Sequence, residues 1–526
     1  MNQAYQKITV LFLFVYLIAG VYLSINTGIS HDEFHEQQNW EVNIQSVKDF
    51  SSTGSYNDLL NYKDRYHGIG FHFLSQPLQH LILKPIANYL DINEYGAVFF
   101  SKHVVVFLLF FISGLFFYSI SKLLLNDKKF ASISLLIYLL YPYLFGHSQF
   151  NPKDIPFLSI WIICTYFILR VIKNLISPKK INYKLLFYLS TFTSLLISIR
   201  IVGLLILLQY LIFVFVYLET ENENFSKFFK NYVRQIIFTI SVIFILIYLF
   251  NPIFWHNPIE IINSVKWMSK YQQDVCTITL GDCLKALNLP ATYYFIWLFF
   301  KLPIVIIFGF FLFPFAKKKL FKDKFCKIVI ISLLITIGAI ILLLILFNVA
   351  IYDELRHVMF LIPLIFIISL SNIYIFNKKI FSIVGIILIF FFVFENVSIN
   401  PYQYTWLNSF AKFYNINKNF EVDYWGISNK NLNSKIKEHS LANNFNKSNC
   451  IYGGQYSKIF LENDNFECFK GYSELDAANN RPYYVIKNVR NIKRSNPKDC
   501  QLIGKETYKY LFTTNEIIAG TVWYCD

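Results

Sequence analysis

Charged side chains are scarce in this chain of 526 residues. Only 15% of its residues are Asp, Glu, Lys or Arg, whereas 55% are hydrophobic and 19% are aromatic. Soluble globular domains carry about 25% charged residues, and the apolar residues here come in runs long enough to cross a bilayer. The composition therefore excludes a soluble globular protein and predicts a polytopic α-helical membrane protein.

Several nucleotide- and metal-binding signatures are also missing. The sequence has no P-loop and no G-x-G-x-x-G motif, which removes the usual phosphate-binding loops, and it has no C-x-x-C spacing for a zinc site. No internal repeat is visible. The formal net charge is +15, but the lysines lie in alternate loops, so membrane topology explains this charge better than nucleic-acid binding does.

About eleven apolar segments are predicted to span the membrane. Basic residues follow every second segment, as at Lys128 and Lys129. The positive-inside rule makes those loops cytoplasmic, with the amino terminus inside and the tail outside. The first segment lacks a small-residue cleavage site and is interpreted as an anchor. The segments are 8–25, 98–121, 130–145, 155–172, 185–199, 201–218, 235–250, 292–316, 328–348, 358–376 and 380–395.

Two domains are expected. A transmembrane domain covers 1–396, and its outer loops 26–97 and 251–291 carry interfacial helices, the first interrupted near Pro77 and Pro85. Hydropathy falls after Asn400, so 397–526 is expected to form a small periplasmic α+β domain. Strand character is found at 450–452, 483–486, 508–513 and 520–524, and helix character at 429–438.

Cysteine placement agrees with this topology. Six of the eight cysteines lie in predicted outer segments, where disulfides persist: Cys276, Cys283, Cys450, Cys468, Cys500 and Cys525. The four cysteines of the tail allow three pairings, which sequence alone does not resolve.

His31-Asp32-Glu33, at the outer end of the first span, is the strongest candidate site. Ionisable residues at such a position are functional candidates by default. Asp32, supported by Glu33, is predicted to be a general base toward an acceptor hydroxyl or amine. The structural alternative is a solvated pair that caps a helix beginning at Phe34. His31 and His35 flank the acids, but residues this close in sequence do not favour a divalent metal site.

A second polar cluster, Asn151 to Pro156, lies in the turn between the third and fourth spans. Lys153 can bind phosphate oxygens as a point charge, and Asp154 can orient Lys153 or act on the substrate. The structural alternative is an ordinary hairpin with a local ion pair.

Two arginines complete the predicted site. Arg200 lies between spans five and six, and Arg356 precedes His357 at the start of span ten. Guanidinium groups match phosphate in a bidentate manner and can stabilise a phosphate leaving group. His357 can serve the same anion or cap the span, and a snorkelling side chain is the structural alternative for Arg200.

An acidic pair after the first span, an interfacial helix and an acidic second outer turn together resemble the GT-C glycosyltransferases. The chain is most similar to the family of protein O-mannosyltransferases and bacterial aminoarabinose transferases (glycosyltransferase family 39). The resemblance covers roughly residues 1–430. Its motifs are Asp32-Glu33, Asn151-Pro152-Lys153-Asp154-Ile155-Pro156, Arg356-His357 leading into Phe360 and Pro363, Asn400-Pro401-Tyr402-Gln403-Tyr404, and Phe420-Glu421-Val422-Asp423-Tyr424-Trp425-Gly426.

This resemblance implies a polyprenyl-phosphate sugar as donor, a protein, lipid or glycan as acceptor, and transfer at the outer face of the cell inner membrane. It implies Asp32 as the base and Asp154 as the second acid, with Lys153, Arg200 and Arg356 as candidates for the lipid phosphate. Positioning plus one base is sufficient for such a reaction, so no metal is required. The tail differs from the sugar-binding repeat domain of eukaryotic relatives, so the donor sugar and the acceptor are not inherited from one relative.

The sequence is also compatible with two other functions. A transporter or flippase of lipid-linked sugars would place ionisable groups near the bilayer midplane, often with paired broken helices. A non-catalytic protein that binds and presents the lipid would use the same arginines as an enzyme. That protein would tolerate loss of Asp32, whereas the enzyme would not.

Overall fold

The computed structural model describes residues 2–177, 181–270, 275–443, 449–454, 456–461, 464, 466–477, 481–488 and 496–526. Within these ranges, eight helices are long and apolar enough to cross a membrane, and a bent helix pair raises the number to nine. These helices confirm the predicted polytopic α-helical fold. We call the end of the bundle that carries Asp32 the outer face, and the opposite end the inner face.

The first outer loop is mostly helical. One of its two 21-residue helices contains Pro77 and Pro85 and is continuous through both, so the predicted interruption is wrong. The helix packs along the second crossing helix and buries Phe71 and Ile86, and this packing holds it together despite two missing N–H donors. The elements are α1 (Asn2–Asn26), α2 (Glu33–Thr53), α3 (Asn57–Asn61), the long α4 (Gly70–Leu90) and the crossing helix α5 (Glu94–Leu125).

The middle of the bundle departs from straight spans at two places. The predicted segment 130–145 divides at Pro142, which lacks an N–H and begins a new short helix. The fifth and sixth segments are separated by Arg200, whose backbone is extended, and by a 3-10 turn over Ile201–Leu204. The helices are α6 (Lys128–Leu140), α7 (Pro142–His147), α8 (Asp154–Ile176), α9 (Tyr183–Ile199), α10 (Leu205–Glu221) and α11 (Phe225–Phe250).

The predicted segment 292–316 is also broken. Two of its helices meet at 118°, because Leu302 and Pro303 are extended and Pro303 cannot continue the first helix. The elements from the second outer loop onward are α12 (Ile253–His256), α13 (Glu260–Lys270), a hairpin of β1 (Cys276–Thr279) and β2 (Asp282–Lys285), α14 (Thr292–Lys301), α15 (Ile304–Phe311), α16 (Phe313–Leu320), α17 (Lys324–Leu346), α18 (Ile362–Phe376) and α19 (Lys378–Ser398).

Helices α8 and α18 form the centre of the bundle, whereas α1 and α11 present most of their surface outward. Polar residues at the outer ends of α8 and α18 are therefore surrounded by protein. This is where Asp154 and Arg356 lie.

The tail forms a small α+β domain with a five-stranded sheet of order β4-β3-β5-β7-β6. Strands β4, β3 and β5 are parallel, and β7 is antiparallel to both β5 and β6. A strand predicted at 508–513 is wrong, because the strand there ends at Tyr508. The elements are α20 (Ile416–Asn419), α21 (Asn429–Ala442), β3 (Cys450–Tyr452), α22 (Ser457–Leu461), β4 (Phe469–Lys470), β5 (Tyr483–Asn488), β6 (Gln501–Tyr508) and β7 (Ile517–Cys525).

All six outer cysteines are paired. Cys450 bonds to Cys468 and Cys500 to Cys525, which selects one of the three pairings open to the tail. The third disulfide joins Cys276 to Cys283 across the β1–β2 hairpin. The buried Cys164 and Cys326 are free thiols.

Candidate active site

Three ion pairs gather at the outer face of the bundle. Each joins one of the predicted cations to an acid from another element: Arg356 to Asp32 at 3.1 Å, Lys153 to Glu36 at 2.5 Å and Arg200 to Asp154 at 2.5 Å. The structure thus brings Asp32, Asp154 and all three predicted phosphate-binding cations to one end of the bundle.

Asp32 is the acid of this group that meets solvent. It occupies the N-cap position of α2, but its side chain makes no capping hydrogen bond, so helix capping does not explain why an aspartate is here. Its side chain is 41% exposed, whereas that of Arg356 is 3% exposed. The guanidinium therefore holds the carboxylate from the protein side and leaves it accessible from outside.

Glu33 points the other way. It is buried, its Oε1 accepts a hydrogen bond from the Ser30 N–H at 2.6 Å, and its Oε2 lies 2.8 Å from His103 Nε2. The other ring nitrogen of His103 contacts the Ser24 carbonyl oxygen at 3.0 Å. These contacts fix the corner between α1 and α2 against α5, so Glu33 positions Asp32 and does not face the cleft described below.

Lys153 lies between Glu36 and a histidine. Its Nζ also contacts His67 Nδ1 at 3.0 Å. Burial lowers the pKa of His67 well below the usual range, and the positive charges of Lys153 and Arg200 lower it further, although Asp32 opposes this shift. His67 is therefore a neutral imidazole, and its Nδ1 accepts a hydrogen bond from the lysine ammonium group.

Asp154 is held in the first turn of α8. Its backbone N–H donates to Asn151 Oδ1 at 2.8 Å, and the Asn151 amide donates to Asp154 Oδ2 at 2.9 Å. The remaining carboxylate oxygen faces Arg200. Because Asp154 is buried, its contacts orient Arg200 at the extended link between α9 and the 3-10 turn.

Arg356 lies between two aromatic rings. Its guanidinium carbon is 4.6 Å from the ring centroids of both Tyr352 and Trp425, and Nη1 lies 3.6 Å from Asp353 Oδ2. Such stacking suits a planar guanidinium better than a lysine ammonium group. His357 is half-buried and packs edge-on against Tyr352, with 4.8 Å between the ring centroids. It therefore contacts the Tyr352 ring and lies beside the stacked Arg356.

The loop before Arg356 has an unusual backbone. Asp353 and Glu354 both have positive φ values, 56° and 66°, a region that side-chain-bearing residues rarely occupy and that often marks functional sites. Glu354 is fully buried and pairs with the fully buried Lys301 at 2.6 Å. Burial raises the pKa of Glu354, although Lys301 and the hydroxyl of Tyr424 oppose this shift. No motif in the sequence points to this pair.

A cleft of about 580 Å³ lies between the outer face and the tail domain. Asp32 and Arg356 line it from the bundle side. Most residues on the opposite wall come at or after the ends of the parallel strands β3, β4 and β5: Gly453, Gly454, Lys470, Gly471, Tyr472 and Asn488. The side-chain amide of Asn488 lies 3.2 Å from His31 Nε2 and joins the two walls. Within the described ranges, no three His, Cys, Asp or Glu side chains come together to hold a metal ion.

The helical bundle with its small α+β domain is similar in fold to a solved membrane protein structure. The crystal structure of ArnT from Cupriavidus metallidurans in the apo state shares this fold, with a TM-score of 0.51 at 11% sequence identity over 99% of this chain and 98% of that chain. The structure of ArnT bound to undecaprenyl phosphate aligns over 100% of this chain and 98% of that chain, with a TM-score of 0.47 and 11% identity. No family model and no curated protein matches the sequence. The similarity to the apo structure confirms the predicted fold, an ArnT-like helical membrane bundle with a small C-terminal α+β domain.

Proposed function

We propose that this chain is an integral membrane glycosyltransferase that moves a sugar from a polyprenyl-phosphate donor to an acceptor at the periplasmic face of the cell inner membrane. The observation that carries this proposal is the exposed carboxylate of Asp32 beside the buried Arg356 in the cleft. One group can accept a proton there, while the other faces the charge that develops on a leaving phosphate.

The proposed reaction is a single displacement. The acceptor oxygen or nitrogen forms a bond to the anomeric carbon, and the bond from that carbon to the phosphate oxygen breaks. The electron pair leaves with polyprenyl phosphate, and the acceptor proton goes to Asp32. Since the leaving group becomes more negative, a cation held close to it lowers the barrier.

The donor phosphate binds in a positive region whose cations exchange their acidic partners for it. Each is paired with an acid before the donor binds, so the phosphate competes with a carboxylate and does not meet an uncompensated buried charge. Arg356 is the one that lines the cleft, and we assign it the phosphate of the leaving group. Lys153 and Arg200 extend this positive region away from the cleft.

We assign Asp32 as the base because the other two predicted acids, Glu33 and Asp154, are already paired with other side chains or backbone groups. Glu33 and Asp154 are buried, and both oxygens of each carboxylate contact a hydrogen-bond or ion-pair partner, whereas Asp32 is partly open to the cleft. Asp154 is proposed as the second acid of the site, acting through the position of Arg200.

The tail domain supplies the wall for the acceptor. Ligands of open α/β sheets bind beyond the carboxyl ends of parallel strands, and the corresponding edge of β3, β4 and β5 faces Asp32 across the cleft. A donor held from the bundle side and an acceptor held from the sheet side would meet at Asp32.

The test is sugar transfer in proteoliposomes with a panel of polyprenyl-phosphate sugars. Release of polyprenyl phosphate is measured for the native chain, for Asp32→Asn and for a control, Asp49→Asn, at the far end of the same helix α2. We expect release by the native chain and the control, and a loss of at least about a hundredfold in Asp32→Asn. Equal release by all three would remove Asp32 from the mechanism. Binding of donors without release by any of them would support the non-catalytic lipid-binding alternative.

A further inference from the structure

A second polar cavity lies at the inner face, far from Asp32. It has a volume of about 400 Å³ and is formed where α6 begins, α18 ends and α19 begins. Helix α5 runs 32 residues from the outer face to the turn just before this cavity. The proposed transferase chemistry uses none of the residues that line it.

Positive charge dominates the cavity. Lys129, Lys378 and Lys379 line it, together with the single carboxylate of Asp127. That carboxylate accepts hydrogen bonds from the Tyr374 hydroxyl at 2.6 Å and from the Phe130 N–H at 2.9 Å. Burial raises the pKa of Asp127, but these hydrogen bonds and the charge of Lys378 lower it overall, so Asp127 stays ionised and the lysines outnumber it.

The lysines of the cavity lie at the starts of two helices, and contacts with neighbouring side chains fix their positions. Lys378 Nζ lies 5.1 Å from the ring centroid of Tyr374, whose hydroxyl is bonded to Asp127. Helix α6 is capped by Asp127 and α19 by Asn377. These contacts fix the spacing between the two helix starts that carry the lysines.

An apolar row leaves the cavity along α19. Ile380, Ile383 and Ile387 follow one another at helical spacing and are 45%, 59% and 62% exposed. Ile383 itself lines the cavity. An anion in the cavity therefore lies directly beside an exposed apolar surface. Such a surface suits the acyl chains of a lipid and has no role in binding a free anion.

We propose that this cavity binds the headgroup of an anionic phospholipid, whose phosphate meets the three lysines and whose acyl chains lie along the exposed row of α19. Basic pockets between membrane helices recognise such headgroups by charge. The site is independent of the transferase site, and its ligand is a structural lipid of the membrane.

The test is native mass spectrometry of the delipidated full chain, titrated with phosphatidylglycerol and, separately, with phosphatidylcholine of the same acyl chains. The native chain is expected to bind phosphatidylglycerol at least about tenfold more tightly, since each lysine near an anionic headgroup contributes about fivefold. The variant K129Q/K378Q/K379Q is expected to lose this preference. The matched control is K317Q/K318Q/K319Q, on the exposed side of α16, which is expected to keep it.

A second variant tests the cavity without changing any charge, and its result does not depend on whether the triple variant folds. Ser382→Trp fills the cavity, which Ser382 lines, and leaves every lysine in place, so it is expected to weaken phosphatidylglycerol binding as well. Equal weakening by K317Q/K318Q/K319Q would overturn the proposal in favour of diffuse surface attraction. Displacement of the lipid by an equal concentration of inorganic phosphate would overturn it in favour of a free-anion site.

Discussion

Lys301 Nζ lies 2.6 Å from Glu354 Oε2, and neither side chain reaches solvent. Lys301 ends α14 at the 118° break, and Glu354 lies in the strained loop before Arg356. The ammonium group also lies 4.5 Å from the ring centroid of Tyr143. A broken helix and the loop that presents Arg356 are thus joined by one buried charge pair.

Removing one partner of this pair should be far more harmful than removing both. Glu354→Leu leaves a buried, uncompensated ammonium group, and such a change costs about 3–5 kcal/mol. The double variant Glu354→Leu/Lys301→Met should regain most of that stability. Thermal midpoints in detergent measure both effects. If the double variant is no more stable than Glu354→Leu, the interaction is not a charge pair.

The same double variant separates stability from activity. Once the pair is lost, the loop at Asp353 and Glu354 is free to leave its positive-φ conformation, and Arg356 loses its fixed position. We expect a folded protein whose kcat for sugar transfer falls more than its thermal midpoint predicts. An unchanged kcat would show that the pair serves the fold alone.

Arg356→Lys should lower kcat by about 10²–10³-fold, as loss of a charge-stabilising donor does. Lysine keeps the charge but loses the planar group that lies between Tyr352 and Trp425. Arg170→Lys is the matched control, because Arg170 also lies over a tyrosine ring but on the exposed side of α8. Transfer rates of the two variants, measured with saturating donor, compare them directly.

A side chain at Gly471 should narrow the cleft from the sheet side. The nearest atoms to a Cβ there are Glu474 Oε1 at 3.2 Å and Ser473 Oγ at 3.5 Å, so Gly471→Val is compatible with the fold. We expect Gly471→Val to raise the KM for the acceptor used in the transfer assay and to leave the KM for the donor unchanged. Gly338→Val, at an open position in α17, is the control. Equal changes in both KM values would place donor and acceptor on the same wall.

Asp423 should make stability depend on pH. Burial raises its pKa to about 6, above the ordinary value of 3.8, so the folded state holds this proton more tightly than the unfolded state does. The stability from this group is fully present below about pH 4 and is lost as the pH rises to about 6, at up to about 1.4 kcal/mol per pH unit. Asp423→Asn should remove that slope. Thermal midpoints of the two proteins between pH 4 and 7 test it, and parallel curves would contradict it.

Much of the fold could be predicted because the bilayer imposes a strong pattern on a sequence. Runs of apolar residues predict where the helices lie. Asp32 follows the first run, so it is predicted to lie at the end of a helix. Breaks at Pro142 and Pro303 were not predicted, because hydropathy alone does not distinguish a straight helix from two helices that meet at an angle.

The ion-pair partners of the site residues could not be predicted from the sequence. Lys153, Arg200 and Arg356 were predicted as phosphate ligands, but their acidic partners come from distant segments, as Glu36 does for Lys153. The signal for Glu36 was present, since it lies one helical turn after Asp32. No local signal pointed to Lys301 and Glu354, which meet only through tertiary packing.

The strand order of the tail has a consequence for biogenesis. Strand β7 lies between β5 and β6, and Cys525 at its end is bonded to Cys500. Because β7 is the partner of both β5 and β6, the sheet remains two unjoined pieces until residues 517–525 have been synthesised, whereas β3, β4 and β5, whose ends line the cleft, pair with one another without β7. The cleft wall can therefore form before the sheet is complete.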